Sequence, residues 1–365
     1  MVGVISRLVL LSFAFTLNAF AEDKKPAGLS SAMRANFSAL VNLQPFIADN
    51  EAFKDPKNSN EIQKNIDSFA DLKHVFPKKM AEQEPGMAII SNLFADYLQD
   101  IKRSFRSGSK EFARNQLRTM TGFCFACHTR VTADQNFEDL EQKIKGSDLS
   151  VFQKAEFYAA TRQFDKALQG FEQVLSEPPA NDPGLMEFSR ALRQALSISV
   201  RVKKDPAKTN EILDKLAKRK DLPEFFRQEL RGWKKDATSW QQEKAFAKMT
   251  EDQLFNKART LVNRANKEKM FPMDHSTDIS YLRATSYIHE ALQKNPKSKH
   301  RGEALYLLGV SYEALQDPLL WALDELYFES CIRELPHSDV SKRCYKRYSA
   351  KIFWGYSGSA GTNIP

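Results

Sequence analysis

The sequence predicts an all-α protein. Apolar residues recur at spacings of three and four along nearly the whole chain, as they do on one face of a helix. These runs end at Pro, Gly and Asp/Asn clusters, which interrupt helices. Alternating apolar and polar runs, which mark strands, are almost absent. We therefore expect helices throughout, joined by turns.

Residues 1–21 predict a secretory signal. Arg7 supplies the positive charge, Leu8 begins the apolar run, and Ala19-Phe20-Ala21 matches a cleavage pattern. The run is too short to cross a membrane, and no later stretch approaches the roughly eighteen apolar residues that a span requires. We expect an exported protein that is soluble in the periplasm and has no membrane span.

Four long amphipathic helices follow the signal. The predicted ranges are 30–50, 59–75, 85–107 and 110–131. Pro45 predicts a kink or an early end in the first helix, Pro77 stops the second, and Pro85 opens the third. Because the connections are short, residues 28–132 are expected to form an antiparallel four-helix bundle.

The fourth helix carries the motif Cys124-Phe125-Ala126-Cys127-His128. Two cysteines separated by two residues and followed by histidine are the pattern of covalent haem attachment. The two thiols add to the haem vinyl groups, and the histidine binds the iron as axial ligand. The motif therefore predicts one covalent haem c, held by Cys124 and Cys127, with His128 as proximal ligand.

Two other interpretations of the motif are less favoured. A thioredoxin-like redox dithiol needs a βαβ context, and the sequence shows none. A zinc site needs a second ligand pair at suitable spacing. The remaining cysteines, Cys331 and Cys344, lie more than two hundred residues away. They instead predict a disulfide across a helix hairpin, the alternative being two separate buried thiols.

Residues 28–132 resemble the cytochrome c′ family of four-helix-bundle cytochromes and its low-spin relatives. The haem motif lies near the end of the fourth helix, Arg130 follows it, and Phe76-Pro77 follows the second helix. The resemblance implies that Met33, on the first helix, faces the distal side of the iron. It also implies a homodimer formed through the first two helices as one candidate assembly.

The role of Met33 separates two functions. If its sulfur binds the iron, the haem has Met/His ligation, which suits an electron carrier. If it does not, the open iron face suits a sensor of nitric oxide or carbon monoxide, or Met33 is simply a core residue. Phe37, one turn further, and Phe123 are expected to pack on the porphyrin. Rival distal candidates are His74, Met80 and Met87.

Residues 147–356 predict a tetratricopeptide-like array of helical repeats. The residues that fit the repeat spacing are Val151, Ala155, Tyr158, Ala167, Phe171, Val174, Ala284, Ile288, Ala291, Leu308, Gly309, Tyr312, Phe328 and Cys331. Pro179, Pro296 and Pro336 are expected to end second helices. The alternative is an unrelated α-helical domain. Residues 133–146 are predicted to be a linker, and residues 357–365 a flexible tail.

The net charge and the absence of several motifs narrow the range of possible functions. The formal net charge is +8, which suits an acidic partner, but no Lys/Arg block is dense enough to predict nucleic-acid binding. Basic side chains precede the haem motif at Lys102, Arg103, Arg106, Lys110, Arg114 and Arg118. They are expected to offset the haem propionates, to steer a partner, or to form a solvated face. Hydrolase and nucleotide-binding motifs are absent from the sequence, so an enzyme is not predicted.

The sequence therefore predicts a periplasmic monohaem c-type cytochrome that transfers single electrons. A redox protein is the expected partner, with a protein or peptide docked on the repeat surface. The alternatives are a five-coordinate gas-binding or sensor protein, and a structural interaction protein in which haem staples the bundle.

Overall fold

The computed structural model is mostly helical, which confirms the all-α prediction. It describes residues 28–70, 85–130, 137, 141–146, 148–179, 182–243, 249–316, 320, 322–359 and 361–364. The predicted signal at residues 1–21 lies outside the described residues. The first seven helices are α1 Leu29–Ala48, α2 Asn50–Lys54, α3 Ser59–Asp67, α4 Pro85–Arg106, α5 Lys110–Thr119, α6 Thr121–His128 and α7 Glu141–Lys145. A 3-10 turn at Pro56–Asn58 precedes α3.

Further helices follow in the described residues after α7. They are α8 Val151–Ala160, α9 Phe164–Ser176, α10 Asp182–Ser197, α11 Pro206–Ala217, α12 Glu224–Gln241, α13 Glu251–Glu268, α14 Asp278–Lys294, α15 Arg301–Leu315, α16 Leu323–Glu334 and α17 Asp339–Gly355. A π-helical turn at Ile198–Val202 extends α10. Consecutive helices pack on one another along most of this region.

Two predicted helix boundaries are wrong. The second helix ends at Asp67, because the Ser68 hydroxyl donates to the Asn65 carbonyl at 2.7 Å and competes with the helical pattern. The fourth helix is divided at Met120, where the backbone N–H bonds to the carbonyl of Leu117, three residues back, in a tightened turn. Pro45 does not end α1, which continues to Ala48.

The predicted tail and linker also differ from expectation. Residues Ser357–Gly358 (β1) and Gly361–Thr362 (β2) form a small antiparallel hairpin rather than a loose tail. The hydroxyls of Ser357 and Thr362 lie 2.8 Å apart across it. In the segment predicted to be a linker, α7 buries Ile144 completely, and Phe137 is buried as well. This segment therefore contributes to the packed structure.

Small residues let neighbouring helices approach closely. A methyl group added at Gly170 of α9 would lie 2.8 Å from the Cβ of Ala155 of α8. A methyl group at Gly309 of α15 would overlap the ring of Phe328 of α16. Prolines 179, 296 and 336 each follow the end of a helix within three residues.

Replacing Gly309 with alanine is expected to destabilise the protein by about 1–3 kcal/mol, because the Phe328 ring is fully buried and cannot move away. The matched control is Gly355→Ala at the end of α17, where an added methyl group meets nothing within 4 Å. Urea unfolding measures both variants. Equal stability of the two would show that the Gly309 contact is not restrictive.

The hydrophobic core joins distant parts of the sequence. One cluster of buried side chains includes residues of α1 to α6 together with residues of α13 to α17. A second cluster is built mainly from α8 to α12. Cys331 of α16 and Cys344 of α17 are both buried and form a disulfide, as predicted. The helix that carries the Cys-x-x-Cys-His motif, α6, thus shares a core with the C-terminal helices.

Candidate haem site

The motif helix faces an apolar cavity. The cavity holds about 750 Å³ of space between atoms, its mouth included. All six predicted site residues line it, from α1 and α6: Met33, Phe37, Phe123, Cys124, Cys127 and His128. The structure therefore brings together residues that are about ninety positions apart in the sequence.

Local geometry of α6 places the motif. Cys124, Cys127 and His128 are spaced i, i+3 and i+4, so they lie on one side of the helix. Phe123 anchors the helix, because its ring contacts Phe94 edge-on with 5.7 Å between centroids. The helix ends at His128, so the imidazole lies at the helix terminus.

The two thiols do not have the properties of a redox dithiol. Both are free; Cys127 is buried and Cys124 is half-buried. Burial raises the pKa of Cys124 to about 12 and that of Cys127 to about 11. Redox dithiols depend on a lowered pKa, commonly at a helix N-terminus, whereas Cys124 lies in the middle of α6 and Cys127 lies next to its last residue.

His128 is suited to bind a metal. Burial lowers its pKa to about 3, so the imidazole is neutral, which is the ligating form. The ring interacts with the backbone of Ala160, and Nδ1 is buried without a hydrogen-bond partner among the described residues. Such a group costs about 1–3 kcal/mol when left unsatisfied. A neutral imidazole with a bare nitrogen beside two thiols in an apolar cavity fits a covalently attached haem.

The same residues fit zinc less well. Structural zinc takes four protein ligands, which must converge on one point. Within the described part of the chain, no three His, Cys, Asp or Glu side chains come together in a way that would hold a metal ion.

Other residues complete the cavity and were not predicted from the sequence. Phe137 stacks on His128, with 6.5 Å between ring centroids and 20° between planes. Its N–H donates to the carbonyl of Thr161 at 3.1 Å. Ala160 and Thr161, at the end of α8, line the cavity too. The sequence could not predict the role of Phe137, because a single aromatic residue in a polar segment has no periodic pattern. Its contact with the end of α8 joins residues that are distant in the sequence.

The candidate distal residues are placed differently. Met33 is half-buried and lines the cavity. Met87 is buried in the core and is not among the lining residues. His74 and Met80 lie outside the described residues, as does Phe76-Pro77.

The basic side chains before the motif do not line the cavity, so the expected role beside the propionates is not supported. Arg106 pairs with Asp67 at 2.7 Å, and Arg114 donates to the carbonyl of Ile47 at 2.8 Å. Arg130, after the motif, is also turned away. Its Nε donates to the hydroxyl of Tyr312 in α15 at 2.6 Å.

Comparisons with family models, with curated proteins and with solved structures find no match to this chain. The resemblance to cytochrome c′ therefore stays a prediction. None of the described helices has both the length and the apolar character needed to cross a membrane.

Proposed function

We propose that this chain is an exported monohaem c-type cytochrome that transfers single electrons. Cys124 and Cys127 would carry the two thioether bonds, and His128 would bind the iron. The observation that carries the proposal is the placement of this motif on one side of α6, in an apolar cavity where the His128 Nδ1 has no partner in the described part of the chain. The haem supplies a one-electron couple when bound.

The protein residues have separate tasks at such a site. The thiols fix the porphyrin to α6, and the buried imidazole offers a neutral nitrogen. Phe37 and Phe123 contribute apolar walls that exclude water. Exclusion of water and the axial ligand set are the principal means by which a protein tunes a haem potential.

For the architecture, we propose a four-helix haem bundle followed by tetratricopeptide-like repeats that dock a protein partner. The close contact of Gly170 with Ala155 and the prolines that follow α9, α14 and α16 support it. The net charge of +8 favours an acidic redox partner. An exported location is part of the proposal and is consistent with the disulfide between Cys331 and Cys344.

The decisive experiment is production of the full chain with haem-maturation machinery. We expect the denatured protein to carry the mass of one added porphyrin, and the reduced protein to show sharp low-spin absorption bands. Colourless protein with the mass of the bare polypeptide would overturn the proposal.

A gas-binding protein is the second candidate function. The position of Met33 in the cavity is the observation that separates the two. If Met33 does not bind the iron, the reduced protein will show high-spin bands and will bind carbon monoxide readily.

Replacement of Met33 with leucine is expected to open the distal position. The reduced variant should become high-spin and bind carbon monoxide. Its reduction potential should decrease, because Met/His ligation raises the potential and axial ligands shift haem potentials over a range of ~0.8 V. Met120→Leu is the matched control, because Met120 also lines the cavity but belongs to the turn before α6. Identical spectra of Met33→Leu and wild type would exclude ligation by Met33.

A further inference from the structure

A second cavity lies beside the haem-motif helix. Residues of α1, α5 and α6 form one wall, and residues of α8 and α10 form the other. It holds about 740 Å³ of space between atoms, its mouth included, and shares no lining residue with the haem cavity. Its lining mixes charged, amide and hydroxyl groups with a few apolar side chains.

Thr121 provides an unsatisfied hydroxyl in this lining. The residue is 6% exposed, and its Oγ1 is buried with no hydrogen-bond partner from any residue that the structure describes. A helical threonine often donates to the carbonyl four residues back, but Thr121 does not. A buried hydroxyl without a partner is costly, so a ligand that accepts its hydrogen bond would be stabilised.

The opposite wall carries carboxylates. Glu156 is 5% exposed, and its Oε1 contacts Arg190 and accepts from Gln194 at 2.8 Å. Among the described residues, no donor bonds to its Oε2. Glu187, on α10, is exposed at the rim and forms no ion pair with any described residue.

The first wall carries a free cation. Arg118 of α5 is exposed and forms no ion pair or hydrogen bond with the described residues. With Arg190 it balances Glu156 and Glu187, so the charges around the cavity sum to zero. A ligand with a single charge would interact favourably with only one of these walls. A ligand that has one positive and one negative group would interact favourably with both.

We propose that this cavity binds a small zwitterion of the free α-amino-acid class. Arg118 and the Thr121 hydroxyl bind the carboxylate, and Glu156 and Glu187 bind the ammonium group. Thr121 lies one turn before Cys124 on α6, so the occupied cavity is adjacent to the haem-motif helix without contacting the haem cavity.

Titration calorimetry of the full-length mature protein tests the site. The probes are glycine and L-alanine, with propionate and ethylamine as controls that lack one charge. We expect saturable binding of both zwitterions and at least about tenfold weaker binding of each control, since a hydrogen bond to a charged group contributes that much. The assay does not depend on haem, so its failure is distinct from failure of the proposed function.

Two variants locate the site. Thr121→Val keeps the shape of the side chain and is expected to weaken L-alanine about tenfold while leaving the melting temperature unchanged or higher, because it removes an unsatisfied group. Glu187→Gln, at the exposed rim, is expected to weaken L-alanine by a similar factor. Thr260→Val on α13 is the control, because Thr260 is exposed and does not line the cavity.

Three outcomes would overturn the proposal. They are no saturable heat with either zwitterion at millimolar concentrations, equal binding of propionate or ethylamine, and unchanged L-alanine affinity in both Thr121→Val and Glu187→Gln. A loss of stability in Thr121→Val without a change in affinity would show that Thr121 has a structural role only.

Discussion

Protein in which Cys124 and Cys127 are both replaced by alanine is expected to contain no covalently attached porphyrin. Both thioether bonds of the proposed site are then missing, and the remaining contacts are the His128 ligand and the apolar walls. Mass spectrometry under denaturing conditions measures the loss, because only a covalent bond keeps porphyrin on the unfolded chain. Haem held by His128 alone would be released by acid.

The single variants are the controls. Cys124→Ala and Cys127→Ala each leave one thiol, so each is expected to keep porphyrin through one bond and to retain its mass after denaturation. The double variant should also melt at a lower temperature, because without porphyrin the apolar cavity loses contacts that form only in the folded state. Porphyrin that persists on the denatured double variant would contradict the assignment of these cysteines.

The sequence predicts the motif geometry well because that geometry is local. Cys124, Cys127 and His128 belong to one helix, so their spacing alone places them on one side of it. The inclusion of Met33 and Phe37 in the cavity follows from the apolar face of α1, which faces the interior. Periodicity is sufficient for contacts of this kind.

Residues that reach the site only through tertiary packing could not be predicted from the sequence. Phe137 reaches His128 through a backbone hydrogen bond to Thr161, and neither residue stands in a pattern that points to the site. The contact of Arg130 with Tyr312 joins positions 182 residues apart. No periodic signal carries such information, so the sequence could not predict that residues at the end of α8 and on α15 lie close to the motif.

The helix ends likewise divide into those that the sequence predicts and those that it does not. The start of α4 is predicted correctly because Pro85 is preorganised for the first helical position. The end of α3 is not, because Phe69 continues the apolar pattern after the helix has ended at Asp67. There the side chain of Ser68 competes for the backbone, and periodicity does not register that competition.

The contact between Arg130 and Tyr312 fixes the haem motif to α15. Arg130 is buried, and its guanidinium carbon lies 4.7 Å from the centroid of the Tyr312 ring. The same guanidinium also donates to the carbonyl of Ala126, which lies between the two motif cysteines. The hydroxyl of Tyr312 is 3.0 Å from Nε2 of His289 in α14. The Tyr312 phenol of α15 thus contacts both α14 and the residue that follows the end of α6.

Replacing Tyr312 with phenylalanine is expected to lower the free energy of unfolding by about 1.5–3 kcal/mol, because a buried guanidinium loses a hydrogen-bond partner. The matched control is Tyr306→Phe on the same helix, whose hydroxyl makes no hydrogen bond with the described residues; it should be nearly neutral. Urea unfolding of both variants at neutral pH measures the difference. Equal costs would show that the phenol does not hold Arg130.

The pH dependence of that difference tests its electrostatic origin. Burial raises the pKa of Tyr312, but the positive charges of Arg130 and Arg201 and the neighbouring His289 lower it more, to well below its usual range. A lowered pKa in the folded state stabilises the protein as pH rises toward the ~10 of an unfolded tyrosine, and this stabilisation is lost as pH falls through the folded value. The gap between wild type and Tyr312→Phe should therefore widen on the alkaline side of neutrality. A gap that stays constant as pH rises above neutrality would mean that the phenol stays protonated beside Arg130 and acts only as a neutral hydrogen-bond partner.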